Sequence, residues 1–290
     1  MNDTFPTRSL SRQESRVVLG LTEQGRREVS RREIAELLAV SPEAADHVIR
    51  SLRHKGWLER ASWGRYLLIP PDQGADALGD SNLLALAGLI VEPYYFGYGT
   101  AAAHYGFTTQ IRSVIWLVTP VHRRDRRLLD AEIRIVNQST IRFFGFKQVD
   151  VLGYSVNMSD YEKTVIDCID RPELAGGIGE AALILGAASN RLDWHRLADY
   201  LDRIKSRALT RRVGWYADHV QAEMPSEIRD HLRRDIDAGR PTFIGPKSPK
   251  RGALGFDPTW HVTVTAAPDE LRSSAGMGRR RQLTPKGAPC

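Results

Sequence analysis

Helix starts are written three times into the first part of this chain, and their spacing leaves room only for short helices. Ser11-Arg12-Gln13-Glu14 and Ser30-Arg31-Arg32-Glu33 are capping boxes, in which the serine hydroxyl and the glutamate carboxylate satisfy N–H groups that open a helix. Ser41-Pro42 adds an N-cap followed by proline at the first helical position, where its missing N–H costs nothing. The second box leads into Ile34, Leu37 and Leu38, one apolar face, and breaks at Ala39-Val40. The third helix runs from Ser41 to about Lys55, with Ala45, Val48, Ile49 and Leu52 on its core side, and stops at Gly56. Trp57 to Arg60 and Arg65 to Ile69 then read as two strands joined through residues 61–64. Three short helices followed by a basic hairpin are the layout of a winged helix-turn-helix.

The third helix keeps one side free of the core. Glu43, His47, Arg50 and His54 recur at helical spacing with Arg53 beside them. A helix about 10–12 Å across fits a major groove about 12 Å wide. On this reading Arg50 meets a guanine edge, and Ser41, Glu43, His47 and Arg53 share the DNA-facing side. Arg12, Arg31, Arg32, Arg60 and Arg65 meet phosphates, which set register rather than sequence. The same charged face also suits contact with a protein. His47 and His54 lack acidic or cysteine companions at ligand spacing, so no metal is expected there. Trp63 is expected to pack on the hairpin's own domain.

Composition narrows the remaining classes. A chain of 290 residues, 42% hydrophobic and 26% charged, exceeds what one small core needs, so two domains are expected. No apolar run approaches the roughly 18 residues of a membrane span, and no basic-then-apolar leader opens the chain; a cytoplasmic location is the expectation. Two cysteines, Cys168 and Cys290, make neither a disulfide framework nor a cysteine zinc site. The formal charge of +6 is uneven: residues 1–70 sum to +3, 71–150 to zero, 151–240 to −2 and 241–290 to +5. Basic ends around a neutral middle suit a local nucleic-acid contact attached to something else.

Pro70-Pro71-Asp72-Gln73-Gly74 is a natural boundary. The expected organisation is therefore a winged helix-turn-helix over 1–70, a mixed α+β domain over 71–265 that ends in a helical region, and a basic, disordered tail over 266–290. Within the middle, helices are expected at 81–90 and 100–105, and strands at 113–118, 131–137, 141–144 and 149–154. Ser159-Asp160-Tyr161-Glu162 has capping-box form and opens a helix to about Ile169, with Cys168 on its core face. Helices are then expected around 194–201, at 211–220 and from Pro225, and strands at 242–244 and 261–265.

Catalysis needs a constellation, and the spacing offers none. Asp130-Ala131-Glu132-Ile133-Arg134 has the paired acids of some nucleases, but with arginine where lysine is usual and no upstream partner. Gly176-Gly177-Ile178-Gly179 lacks the Lys-Ser/Thr of a P-loop and reads as a helix start. No enzyme activity and no cofactor are expected.

Three runs, Pro93-Tyr94-Tyr95-Phe96-Gly97-Tyr98-Gly99-Thr100-Ala101-Ala102-Ala103-His104-Tyr105-Gly106-Phe107-Thr108, then Glu162-Lys163-Thr164-Val165-Ile166-Asp167, then Pro172-Glu173-Leu174-Ala175-Gly176-Gly177, resemble the AbiEi family of type IV antitoxins. The likeness extends from about residue 10 to about 240. It implies a winged-helix N-terminal domain and a C-terminal antitoxin domain. It also implies a protein that represses its own operon at promoter inverted repeats in double-stranded DNA and counteracts a nucleotidyltransferase-like toxin. The simplest job of the glycines and aromatics in these runs is to form the fold. Two other readings stay open: a winged-helix transcriptional regulator whose larger domain senses a ligand or oligomerises, and a nuclease using the middle domain.

Overall fold

Both N-terminal capping boxes close. In α1 (Arg12–Glu23) the Ser11 hydroxyl accepts from the Glu14 N–H at 3.4 Å, and the Ser11 N–H donates to the Glu14 carboxylate at 2.5 Å. In α2 (Arg31–Leu38) the same exchange links Ser30 and Glu33 at 3.2 and 2.7 Å. This geometry comes from a computed structural model that describes residues 9–62, 64–69, 80–110, 114–128, 131–234, 236, 239–247, 255–267 and 270–271. Between the two boxes lies a strand absent from the sequence reading, β1 (Glu28–Ser30). Ala39 ends α2 in the left-handed region, with φ 54°, and turns the chain into α3 (Pro42–His54), where the Ser41 hydroxyl accepts from the Ala44 N–H at 3.3 Å. The hairpin follows as β2 (Leu58–Ser62) and β3 (Arg65–Leu68). Its sheet has three strands, in antiparallel order β1-β3-β2, with Val29 opposite Tyr66 and Leu58 opposite Leu68. Val17, Leu21, Val29, Ile34, Ala45, Ile49, Leu52, Leu58 and Leu68 form one buried core. A set of short helices too small to stand alone is thereby held by shared apolar burial.

The described residues form two compact units, Met1–Phe96 with Arg112–Met158, and Gly97–Ile111 with Ser159–Cys290. The helices and hairpin of the first seventy residues thus share a unit with sheet residues far along the chain. The segment 70–74 expected as a boundary lies outside the described residues, as do Trp63 and the tail beyond 271. The first unit continues with α4 (Asp80–Gly88) and a six-stranded sheet of β4 (Tyr95–Phe96), β5 (Val114–Thr119), β6 (Arg126–Leu128), β7 (Ala131–Asn137), β8 (Phe146–Val151) and β9 (Tyr154–Ser159). The strand order is β6-β7-β5-β4-β9-β8; β5 pairs parallel with β7 and antiparallel with β4.

Two expected strands are corrected. Residues 141–144 contribute to a 3₁₀ turn, Thr140–Arg142, followed by irregular chain; Ile141 is exposed and pairs with no strand among the described residues. The run 149–154 straddles a turn: Leu152 and Gly153 have φ of 49° and 81°, the two positive values of a tight hairpin loop, so the chain reverses where the β-branched pattern suggested continuation.

The second unit is mainly helical: α5 (Tyr98–His104), α6 (Tyr161–Asp170), α7 (Ile178–Ala188), α8 (Trp194–Ile204), α9 (Arg207–His219) and α10 (Ser226–Arg233). β10 (Thr242–Ile244), β11 (Gly255–Asp257) and β12 (Val262–Val264) form a small sheet ordered β10-β12-β11. At the centre is α6, buried from Glu162 through Ile169, with Cys168 fully buried as expected. Its N-cap is Asp160 rather than Ser159: the aspartate accepts from the Lys163 N–H at 2.8 Å, while Ser159 closes β9. Lys163 is fully buried and pairs one turn on with Asp167. The runs that carry the family resemblance supply core: Tyr95, Phe96, Ala101 and Ala102 in the first run and Val165 and Ile166 in the second are fully buried. Among the described residues no helix is long and apolar enough to cross a membrane.

Candidate nucleic-acid interface

The candidate surface consists of α3, the first turn of α2 and the hairpin. Ala45, Val48, Ile49 and Leu52 face the core, which leaves Glu43, His47, Arg50, Arg53 and His54 exposed on the other side. Helical periodicity alone produces this division. Arg50 lies along its own helix: its Nη2 is 3.0 Å from His47 Nδ1, and its Nε donates to the Asp46 carbonyl at 3.3 Å. Neither contact neutralises its charge. The Glu43 carboxyl is held below its ordinary range by its own backbone N–H and then by the Ser41 hydroxyl at the helix start. It is an acceptor by charge, the chemistry that suits a cytosine amino group.

The cations expected at phosphates divide into two sets. Arg12, at the first position of α1, and Arg60 are exposed with no acid partner among the described residues, as is Arg53 on the α3 face. Arg31, Arg32 and Arg65 are paired internally: Arg31 with Asp46 at 2.7 Å, Arg32 with Glu36 at 2.8 Å, and Arg65 with Glu28 across the sheet. Arg32 is nonetheless 88% exposed, and a pair so wet is worth little, so phosphate can displace Glu36 at small cost. Arg31 has a structural job as well. It joins the start of α2 to α3 through Asp46, and its backbone N–H donates to the Gly64 carbonyl at 2.8 Å, which fastens the hairpin turn to the helix.

Two further groups in this region escaped the sequence reading. Arg26 pairs with Glu33, and the Arg27 guanidinium lies 4.6 Å from the centre of the Tyr154 ring. Only chain reversal brings Arg27 and Tyr154 together, so no local pattern announces them. Among the described residues there is no cluster of three or more His, Cys, Asp or Glu placed to hold a metal. Glu132 is ion-paired with Arg134 at 2.8 Å, and Asp130 lies outside the described residues.

No family model matches the chain, and no curated protein matches it. Among solved structures it is similar to the RV2827C protein from Mycobacterium tuberculosis, with a TM-score of 0.65 at 17% identity, over 94% of this chain and 98% of that one. At that identity the likeness is one of fold.

Proposed function

We propose that residues 12–69 form a winged-helix module that binds double-stranded DNA through α3 and the hairpin. We further propose that the chain is an antitoxin of a type IV-like pair, repressing its own operon and counteracting a nucleotidyltransferase-like toxin. The observation that carries the first half is the arrangement of α3. One side is buried with the three-stranded sheet, and the other offers Glu43, His47, Arg50 and Arg53 to solvent, beside a hairpin fastened to α2. A helix so presented can lay base-reading side chains in a major groove while Arg12, Arg32 and Arg60 meet phosphates. The second half is supported by the three runs that resemble the AbiEi family.

The experiment is co-expression with the nucleotidyltransferase-like gene, if one adjoins this one. Survival of the toxin-expressing host only when the chain is present is the expected result. Death in both cases removes the antitoxin reading and leaves the DNA-binding one to its own test.

A second reading, a transcriptional regulator that senses a ligand, is favoured by one observation in the second unit. An open cleft of about 820 Å³ is lined by Lys205, Arg207, Thr210 and Arg234 together with Asp202, which is paired with His231 at 2.8 Å; the cations outnumber the one acid, a setting for an acidic small molecule. Inducer-dependent release of DNA, without rescue from any toxin, is the outcome that would favour it.

A further inference from the structure

One cation between α1 and β1 is held in place without being satisfied. Arg27 Nη1 is shut off from solvent and meets no hydrogen-bond partner among the described residues. A guanidinium keeps its charge at any ordinary pH, and a buried donor left unpaired costs free energy. The guanidinium carbon lies 4.6 Å from the centre of the Tyr154 ring, and that ring is itself fixed, because its hydroxyl donates to the Leu68 carbonyl at 3.2 Å. Gly153, at φ 81°, leaves the space the guanidinium fills: a Cβ there would stand 2.9 Å from Arg27 Nη2. Glu28, the next residue and the nearest counter-charge in the chain, is taken by Arg65.

Arg27 lines a half-open cavity of about 350 Å³, a size within the range of about 300–1,000 Å³ that small-molecule sites occupy. The cavity lies wholly within the first unit. Leu67, Ala85 and Leu89 give it apolar wall, and Ser155 and Asn157 of β9 give it polar wall. Glu92 lines it too, exposed and with no ion-pair partner among the described residues. One uncommitted charge of each sign therefore faces the same space. A simple anion would answer Arg27 and be repelled by Glu92, and a simple cation the reverse. A molecule that carries both charges answers both, and a carboxylate matches the fork of the guanidinium.

We propose that this cavity binds a small zwitterion of the α-amino-acid class, its carboxylate on Arg27, its ammonium group on Glu92 and its side chain against Leu67, Ala85 and Leu89. The site shares no residue with the cationic cleft of the second unit, and it stands whether or not α3 reads DNA. A ligand there bridges the winged-helix segment and the sheet, and so stabilises the folded chain.

The test is calorimetric titration and thermal unfolding of the full chain with each of the common L-amino acids in turn. Acetate and methylammonium, which carry one charge only, are run beside them. At least one amino acid is expected to bind and to raise the melting temperature, and neither single-charge probe to do so at equal concentration. Arg27→Gln and Glu92→Gln should each weaken that amino acid about tenfold or more, the equivalent of one charge-assisted hydrogen bond. The Arg27 carbonyl accepts from the Leu68 N–H at 2.6 Å whatever the side chain, so the Gln variant is expected to fold with its circular dichroism unchanged. Glu92 is exposed, and its variant decides the matter where the Arg27 variant does not fold. Arg207→Ala, in the cleft of the second unit, should change nothing. The proposal is overturned if no amino acid binds, if acetate binds as tightly, if affinity survives either Gln variant, or if it falls with Arg207→Ala. A lower melting temperature of unliganded Arg27→Gln with ligand affinity intact assigns Arg27 to holding Tyr154 alone, and overturns it as well.

Discussion

Glu14 serves two elements at once. It closes the capping box of α1, and both its oxygens accept from Lys55 Nζ, at 2.8 and 2.9 Å, just past the end of α3. Burial alone would raise its carboxyl; the hydrogen bonds from Lys55, Ser51 and Ser11 outweigh that and hold it at about 2. Glu33 is likewise held at about 2, by Ser30 and then Arg26. A folded-state value below the ordinary 4.5 means that the charged form stabilises the fold fully above that pH and progressively less as the pH falls toward 2. Glu14→Gln is expected to cost about 1–3 kcal/mol at neutral pH, the scale of a charge-assisted hydrogen bond. Thermal unfolding from pH 7 to pH 2 checks this: the gap to the unmodified chain closes below pH 4.5, and a gap independent of pH contradicts the assignment.

Single elements show what can be read locally and what cannot. The caps of the first three helices were legible because each is settled within four residues. Strands β1, β4 and β6 were not, since two or three residues become a strand only through distant partners such as Glu28 with Leu67 or Arg126 with Ile133. The exposed side of α3 followed from periodicity. The pairing of Arg65 with Glu28, 37 positions apart, did not, and it removes free charge from a residue expected at phosphate. Helix α9 offers the sharpest test of packing at this scale. A Cβ on Gly214 would sit 2.2 Å from ring carbons of Trp260, which is fully buried and donates through Nε1 to Asp218 at 2.7 Å. Ala is favoured over Gly in a helix by about 1 kcal/mol, but forcing atoms into a packed ring costs about 1–3 kcal/mol or more. Gly214→Ala should therefore lower the melting temperature. Gly186→Ala in α7, where the new carbon meets Val220 at 3.7 Å, should leave it unchanged or raise it. Equal melting temperatures for the two variants would contradict the Trp260 packing.

At the scale of the whole chain, charge has to be placed before it can be interpreted. Segment sums pointed to the two ends, but three-dimensional pairing redistributes the signal: Arg31 and Arg65 are internally matched, while four arginines near β6 stand out from a neutral segment. The basic tail beyond 271 lies outside the described residues. The proposed DNA-reading surface is centred on Arg50, with the proposed phosphate contacts around it. The most direct measurement is binding of the full chain to its own upstream duplex between 50 and 200 mM salt, with Arg50→Ala and Arg32→Ala beside it. Phosphate contacts by Arg12, Arg32 and Arg60, at about 0.9 each in the slope of log K against log salt, predict a fall in affinity of about 40-fold over that range. Arg50→Ala should cost about 1–3 kcal/mol on the upstream duplex and little on an unrelated one, and Arg32→Ala should weaken both alike. A nearly flat salt dependence, or equal losses from both variants on every sequence, would contradict the assignment of α3 as the reading helix.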